Sequence, residues 1–363
     1  MDKKILFTTS HPAPYWDIIY NDISKNADIT VYYNRIKDKD KAWKNQNNVK
    51  GKVESEISLK EKINDIKNID FAVLGGWNNK NNLLFMFLLI LFRKPFAFFS
   101  DVPDENNITL FKKIFKKIFF MFVPFLYLTG KTGKEHYQKH YGINDSKIKI
   151  FPYGINLPDE KLIKEKIDRR INEMKNVKDS KLKIFIANRF LERKGYKTVY
   201  KAFKLLNEKG LLNKFDIVIA GKGEFFDEYE KKFNNLQSNI KLLGWIEFDE
   251  YNNNLNDCDI YLHSSYFEPY GIPIVDAMLN GKIVIASDGV MSALDNIKNE
   301  ENGFIYSKYD EKKLVSILEK LINGQIDISN IMNNSLEIRK EFEFIYYKQI
   351  LELKQQRFIK SII

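Results

Sequence analysis

Two carboxylates and two cations stand at spacings that could handle a phosphorylated sugar. Glu268 and Asp276 lie in the stretch Ser265-Tyr266-Phe267-Glu268-Pro269-Tyr270-Gly271-Ile272-Pro273-Ile274-Val275-Asp276-Ala277-Met278. An apolar run precedes this stretch and a helical pattern follows it. It therefore reads as a strand–loop–helix turn, with Glu268 in the loop and Asp276 on the first turns of the helix. Unpaired N–H groups at a helix start suit a phosphate, and Gly271 permits close approach to the backbone. The two carboxylates can then accept hydrogen bonds from sugar hydroxyls at two points. The same residues also fit a plain turn with a capping acid. Arg189 and Lys194, five residues apart after another apolar run, could clamp a diphosphate as it leaves. Taken alone, such a pair is more often solvated.

These residues need a scaffold that brings strand ends together. Short apolar runs alternate with longer helical patterns, which predicts parallel sheets flanked by helices. In the first half the expected strands are Lys4–Thr8, Ile29–Tyr33, Phe71–Leu74, Phe96–Phe99, Leu126–Leu128 and Ile148–Phe151. A second series follows at Lys183–Ala187, Asp216–Ala220, Lys241–Leu243, Asp259–His263, Ile283–Ala286 and Gly303–Tyr306. A chain of 363 residues is long for one core, so two α/β domains are expected. The division is 1–156, a charged linker with an added helix at 157–180, a second domain at 181–340, and a C-terminal helix at 341–363 packing back toward the first domain. Ligands of such sheets lie at strand C-termini.

The Glu268 stretch resembles the signature of family-4 retaining glycosyltransferases with the GT-B fold, written E-P-F-G-x-x-x-x-E-A. Glu268, Pro269, Gly271 and Ala277 match it, while Tyr270 replaces Phe and Asp276 replaces the second Glu. Ile186-Ala187-Asn188-Arg189-Phe190-Leu191-Glu192-Arg193-Lys194-Gly195 resembles the family's G-R-L-x-x-x-K-G segment, with Asn188 for the glycine. Ala220-Gly221-Lys222-Gly223 resembles its G-x-G turn, and Asn302-Gly303-Phe304-Ile305 its N-G-F segment. Pro152-Tyr153-Gly154-Ile155 is similar to its domain boundary. The resemblance implies two Rossmann-like doubly wound domains facing a cleft, an N-terminal acceptor domain and a C-terminal nucleotide-sugar domain. It places Glu268 at the donor sugar and Asp276 at the ribose, with Arg189, Lys194, Gly221, Gly223, Tyr270, Gly271 and Ile272 lining the donor site.

The first domain offers two candidates for an acid–base group. Relatives place a histidine after the strand that here is Phe96–Phe99; the sequence instead reads Ser100-Asp101-Val102-Pro103. Either Asp101 takes that region or His11 fills the role. His11 lies in Thr8-Thr9-Ser10-His11-Pro12-Ala13-Pro14-Tyr15-Trp16, a rigid loop at the usual ligand position. That loop also fits a helix start with packed aromatics. No metal or other cofactor is expected: Asp257-Cys258-Asp259 reads as structural, and no other cluster has metal-ligand spacing.

Charge and hydropathy bound the partners. The chain carries 58 basic and 48 acidic residues, net +10, which favours anionic partners such as nucleotide phosphates or acidic lipid; nucleic acid is not among the expected partners. One cysteine, Cys258, excludes an intrachain disulfide and gives no sign of an oxidising compartment. The start lacks the apolar core of a signal peptide. The longest apolar run, Leu83 to Phe92, is far short of a membrane span of roughly 20 residues. A cytoplasmic protein is expected, peripheral at the inner face of the cell membrane. The motive is Leu110 to Phe122, where Phe111, Ile114, Phe115, Ile118, Phe119 and Phe122 recur at helical spacing opposite Lys112, Lys113, Lys116 and Lys117. This is the pattern of an interfacial helix on an anionic membrane, and equally of a helix laying its apolar stripe on a sheet.

The expected activity is metal-independent transfer of a sugar, with retention, from a UDP-linked donor to an acceptor hydroxyl. The expected acceptor is a lipid-linked glycan of polysaccharide assembly. A GT-B sugar-nucleotide epimerase, or a noncatalytic nucleotide-sugar or membrane-binding module, is the alternative. A dinucleotide dehydrogenase fits less well, because no G-x-G-x-x-G follows the first strand.

Overall fold

The computed structural model of the protein describes residues 3–34, 50–76, 79–104, 109–177, 180–236 and 239–355. The chain divides into two compact units, Met1–Asn156 with Phe342–Ile363, and Leu157–Glu341.

Among the described residues, the first unit contains β1 (Lys3–Thr9), β2 (Ala27–Tyr33), β3 (Lys50–Val53), β4 (Phe71–Gly75), β5 (Phe96–Ser100), β6 (Phe125–Leu128) and β7 (Ile148–Ile150). All neighbours pair in parallel, in the order β3-β2-β1-β4-β5-β6-β7. The central strands are buried along nearly their whole length, as expected of a parallel sheet covered on both faces. β3 escapes the sequence pattern because Lys50-Gly51-Lys52-Val53 holds no apolar run. The C-terminal helix Ile338–Gln355 buries Phe342, Tyr346, Ile350 and Leu353, and Tyr346 donates to the Asp22 carboxylate at 2.9 Å.

The second unit contains β8 (Leu182–Ala187), β9 (Phe215–Ala220), β10 (Ile240–Gly244), β11 (Ile260–His263), β12 (Ile283–Ser287) and β13 (Phe304–Tyr306). Its strand order is β10-β9-β8-β11-β12-β13, again parallel. The order reverses between β8 and β11. Loops leaving neighbouring strands there turn to opposite faces and open a crevice.

The segment 157–180 holds the helix Glu160–Asn176, capped by the Asp159 side chain on the Leu162 N–H. Ile163 and Ile167 sit in the core of the second unit. Arg170 grips the Asp259 carboxylate with Nε and Nη2, both at 2.8 Å, and the Lys183 backbone N–H donates to the same carboxylate at 2.8 Å. Asp257 accepts from Lys183 Nζ at 2.7 Å. Asp259 thus ties the helix to the sheet, while Asp257 is paired with a side chain of β8. Among the described residues, no group of three or more His, Cys, Asp and Glu side chains is placed to hold a metal ion.

Candidate active site

The loops after β8 and β11 flank the switch point of the second sheet, and they bring the chemistry together. The β8 loop carries Asn188 to Lys194. Its backbone is zipped to the loop after β9: Asn188 N–H donates to Ala220 O at 3.1 Å, Phe190 N–H to Lys222 O at 3.1 Å, and Phe225 N–H to Phe190 O at 3.1 Å. Gly221 is required there. Its φ is +134°, and a Cβ would stand 1.9 Å from Asn188 O, so any side chain would push the Arg189 loop away. At Gly223 a Cβ would stand 2.5 Å from Phe190 O. These glycines therefore fix the loop that holds Arg189, and that role accounts for them without contact to a ligand.

The β11 loop carries Ser264 to Gly271. The loop after β12 holds its backbone: Glu268 N–H donates to Gly289 O at 2.8 Å, Ser292 N–H donates to Tyr270 O at 2.8 Å, and Ser292 Oγ donates to Gly271 O at 2.7 Å. Tyr270 is buried in this frame. Gly271 adopts φ +100° as the N-cap of the helix Ile272–Leu279, which has Pro273 in its first turn. Ile272 is the first helical residue. The positive end of the helix dipole suits an anion, although Pro273 offers no N–H and the Ile274 N–H donates to Gly271 O at 3.0 Å.

Glu268 and Lys194, read from sequence as separate ligand groups, are in direct contact: Lys194 Nζ donates to Glu268 Oε2. His263, buried at the end of β11, places Nε2 3.5 Å from the same oxygen. Its Nδ1 lies 3.4 Å from Asn188 Nδ2. Burial alone would raise the Glu268 carboxyl, but the Lys194 ammonium and His263 hold it well below the usual carboxylate range. Burial lowers Lys194 despite Glu268, and the neighbouring Arg193 and Arg189 lower it further. Burial also lowers His263, against the pull of Glu268. The result is an ionised carboxylate paired with the Lys194 ammonium, with His263 beside the same oxygen.

Arg193, His263 and Asn188 were not singled out as site residues from sequence. Arg193 Nη1 donates to Phe267 O at 3.1 Å and so pins the β11 loop. The signal for His263 was its position at the C-terminal end of a strand next to the switch point. Asp276 lies on the helix after Gly271. Burial raises its carboxyl to about 6, against the lowering effect of the Tyr251 hydroxyl.

The structure places Asp101 and His11 in the first unit. Asp101 follows β5 and accepts from Tyr153 Oη at 2.9 Å. His11 precedes the helix Pro14–Ser24, with Nδ1 2.8 Å from Ser10 Oγ. Trp16 is packed, stacking on Tyr20 at 5.7 Å and meeting Phe99 edge-on at 4.7 Å; its ring serves the core.

Residues 168–339 match the family described as Glycosyl transferases group 1. That match covers most of the second unit. The whole chain is similar in fold to HepE of Anabaena, solved in complex with UDP: TM-score 0.75 at 16% identity, covering 98% of this chain and 100% of that one. The architecture is thus GT-B, two Rossmann-like parallel-sheet domains. The chain is also similar to an uncharacterized glycosyltransferase of Methanocaldococcus jannaschii, 28% identical over 73% of this chain and 63% of the relative. It is similar as well to the capsular polysaccharide biosynthesis glycosyltransferase CapM of Staphylococcus aureus, 24% identical over 62% of this chain and 55% of the relative. The chain spans about half the length of curated relatives it matches, 46% in two cases.

Proposed function

We propose that the protein is a retaining glycosyltransferase that moves a sugar from a UDP-linked donor to an acceptor hydroxyl. The observation that carries this reading is Glu268, held ionised by Lys194 and His263 beside the N-terminus of the helix Ile272–Leu279. A buried carboxylate at that point can orient sugar hydroxyls, while the helix start and the cations take the diphosphate. In the reaction the bond from the anomeric carbon to the diphosphate oxygen breaks, and a bond to the acceptor oxygen forms. Negative charge grows on the departing diphosphate. Arg189 and Lys194 are the groups assigned to meet it, and such pre-placed charge is the largest catalytic term available. Asp276 is assigned to the ribose hydroxyls. Asp101 and His11 are the acceptor-side candidates.

The UDP bound by HepE and the capsular polysaccharide role of CapM support the donor base and a glycan acceptor, lipid-linked in this reading. The chemistry assigned to the site uses protein cations, so no metal is required. The test is a panel of UDP-, GDP-, ADP- and dTDP-sugars, scored by calorimetry and by donor hydrolysis, with and without EDTA. Binding and turnover should favour UDP-sugars and survive EDTA. Preference for another base refutes the donor assignment, and complete loss in EDTA restored by manganese refutes the metal-free chemistry.

A further inference from the structure

The helix Leu110–Met121 is built the opposite way round from a surface helix that buries its apolar stripe. Thr109 caps it, accepting from the Lys112 N–H. Its apolar residues face outward: Phe111, Ile114, Phe115, Ile118, Met121 and the following Phe122 are between 51% and 79% exposed. The stripe does not lie on the sheet; among the helix's described apolar side chains, Phe119 and Phe120 are the ones that reach the core. Lys116 is the residue that turns inward, 4% exposed, with Nζ donating to Tyr141 Oη at 2.9 Å and lying 5.4 Å from that ring. The expected row of four outward lysines is therefore three: Lys112 and Lys117, exposed, and Lys113, half-exposed.

A second helix adds to this surface. Lys80–Leu91 joins β4 to β5, and Leu110–Met121 joins β5 to β6. Both connect adjacent parallel strands in the same direction, so right-handed crossovers put both on one face of the sheet. Leu88 and Leu89 of the first helix and Phe119 and Phe120 of the second indeed share one core cluster with Phe96 and Phe98. The first helix exposes Phe87, Ile90 and Leu91. One face of the first unit therefore presents two neighbouring outward apolar helices, of which Leu110–Met121 carries lysines and no acidic residue.

We infer that this face docks on an anionic lipid bilayer. Exposed phenylalanine and isoleucine at helical spacing enter the headgroup–acyl boundary, and the lysines beside them meet lipid phosphates. A patch of this size is not a neutral feature of a soluble surface. Charge decides against a second copy as the occupant: pairing the patch with itself would set the lysines against one another in a chain of net +10. Among the described residues, no helix is long and apolar enough to cross a membrane, so the attachment is to one leaflet. The surface is argued without the transferase reading and goes beyond it.

The experiment is flotation of the full chain with two vesicles, pure phosphatidylcholine and phosphatidylcholine with one third phosphatidylglycerol, at low and physiological salt. The wild type should float with the anionic vesicles and much less with the neutral ones. The triple variant Lys112→Glu, Lys113→Glu, Lys117→Glu should lose at least ten-fold in apparent affinity. So should Phe115→Ser with Ile118→Ser, which changes no charge. A charge-matched control, Lys161→Glu with Lys164→Glu and Lys204→Glu, alters exposed lysines of the second unit and should float like the wild type. All changed side chains lie outside the core, and unchanged UDP affinity by calorimetry reports an intact second unit. Flotation that is equal in all four proteins, or absent in the wild type, overturns the inference. So does concentration-dependent self-association that the Phe115→Ser, Ile118→Ser variant abolishes. No donor or acceptor is present in the flotation assay, so its failure is distinct from failure of the transferase reading.

Discussion

Lys194→Met removes the cation from a carboxylate that has little water to fall back on. The two side chains are 9% and 16% exposed, so the pair is desolvated on both sides. Breaking a buried pair by removing one partner typically costs about 3–5 kcal/mol, because the remaining charge is stranded. Here His263 stays beside Glu268, and the expected loss is about 3 kcal/mol, the lower end of that range. The sign of the pH effect follows from Glu268. Its carboxyl is held below the usual range in the folded wild type, so its contribution is fully present above about pH 4.5. It is lost as pH falls through the folded value. In the variant the Lys194 share of that lowering is gone and burial pushes the carboxyl up, so lowering the pH neutralises the stranded charge and narrows the gap. A double change, Lys194→Met with Glu268→Gln, should recover most of the loss. Hydrogen exchange of peptides covering β8 and β11 reads the second unit apart from the first. Its slowest amides should exchange roughly a hundred-fold faster in Lys194→Met at pH 7.5. A change under five-fold, equal at pH 5 and pH 7.5 and not rescued by Glu268→Gln, would refute the buried-pair argument.

Glu268→Gln should lower kcat by about two orders of magnitude, the scale of a group acting in the transition state, with donor affinity within a few-fold of wild type; near-normal kcat contradicts the role. Arg189→Ala should weaken UDP far more than uridine, and calorimetry showing equal losses for both would remove Arg189 from the diphosphate. The Asp276 carboxyl, raised to about 6, should make UDP affinity fall as pH drops through 6, because a protonated acid accepts ribose hydrogen bonds poorly. Asp276→Asn should flatten that profile, and an unchanged inflection near pH 6 in the variant would exclude the assignment. A raised acid costs stability as pH climbs from about 4 through 6, so Asp276→Asn should also melt higher than wild type at pH 7.5, with the difference closing below pH 4.

The strands were legible because buried parallel strands leave continuous apolar runs, and most of the thirteen described strands carry one. β3 does not: at the edge of its sheet, Lys50-Gly51-Lys52-Val53 has no apolar run to show. The periodicity of Leu110–Met121 gave the helix and its apolar stripe, but a period fixes an angle between residues and not which side meets the sheet. Lys116 shows the difference: its inward turn is met by Tyr141, 25 residues on. At the site, the residue types in the two loops were legible and their pairing was not. Glu268 and Lys194 are 74 residues apart, and what joins them is the strand reversal between β8 and β11. His263 was hidden for the same reason: within its own strand it is indistinguishable from a core residue.

The first unit is discontinuous in the chain, closed by a helix that follows the whole second unit. During synthesis its sheet must wait for Phe342, Tyr346, Ile350 and Leu353 while residues 157–341 are made. At about 5–20 residues per second that delay is roughly 10–40 s. Through it the nascent first unit lacks the apolar cover that Phe342 and its neighbours provide, a period in which a ribosome-bound chaperone has something to hold. A stop codon or a poorly decoded stretch near residue 340 would therefore leave the second unit able to fold and the first exposed.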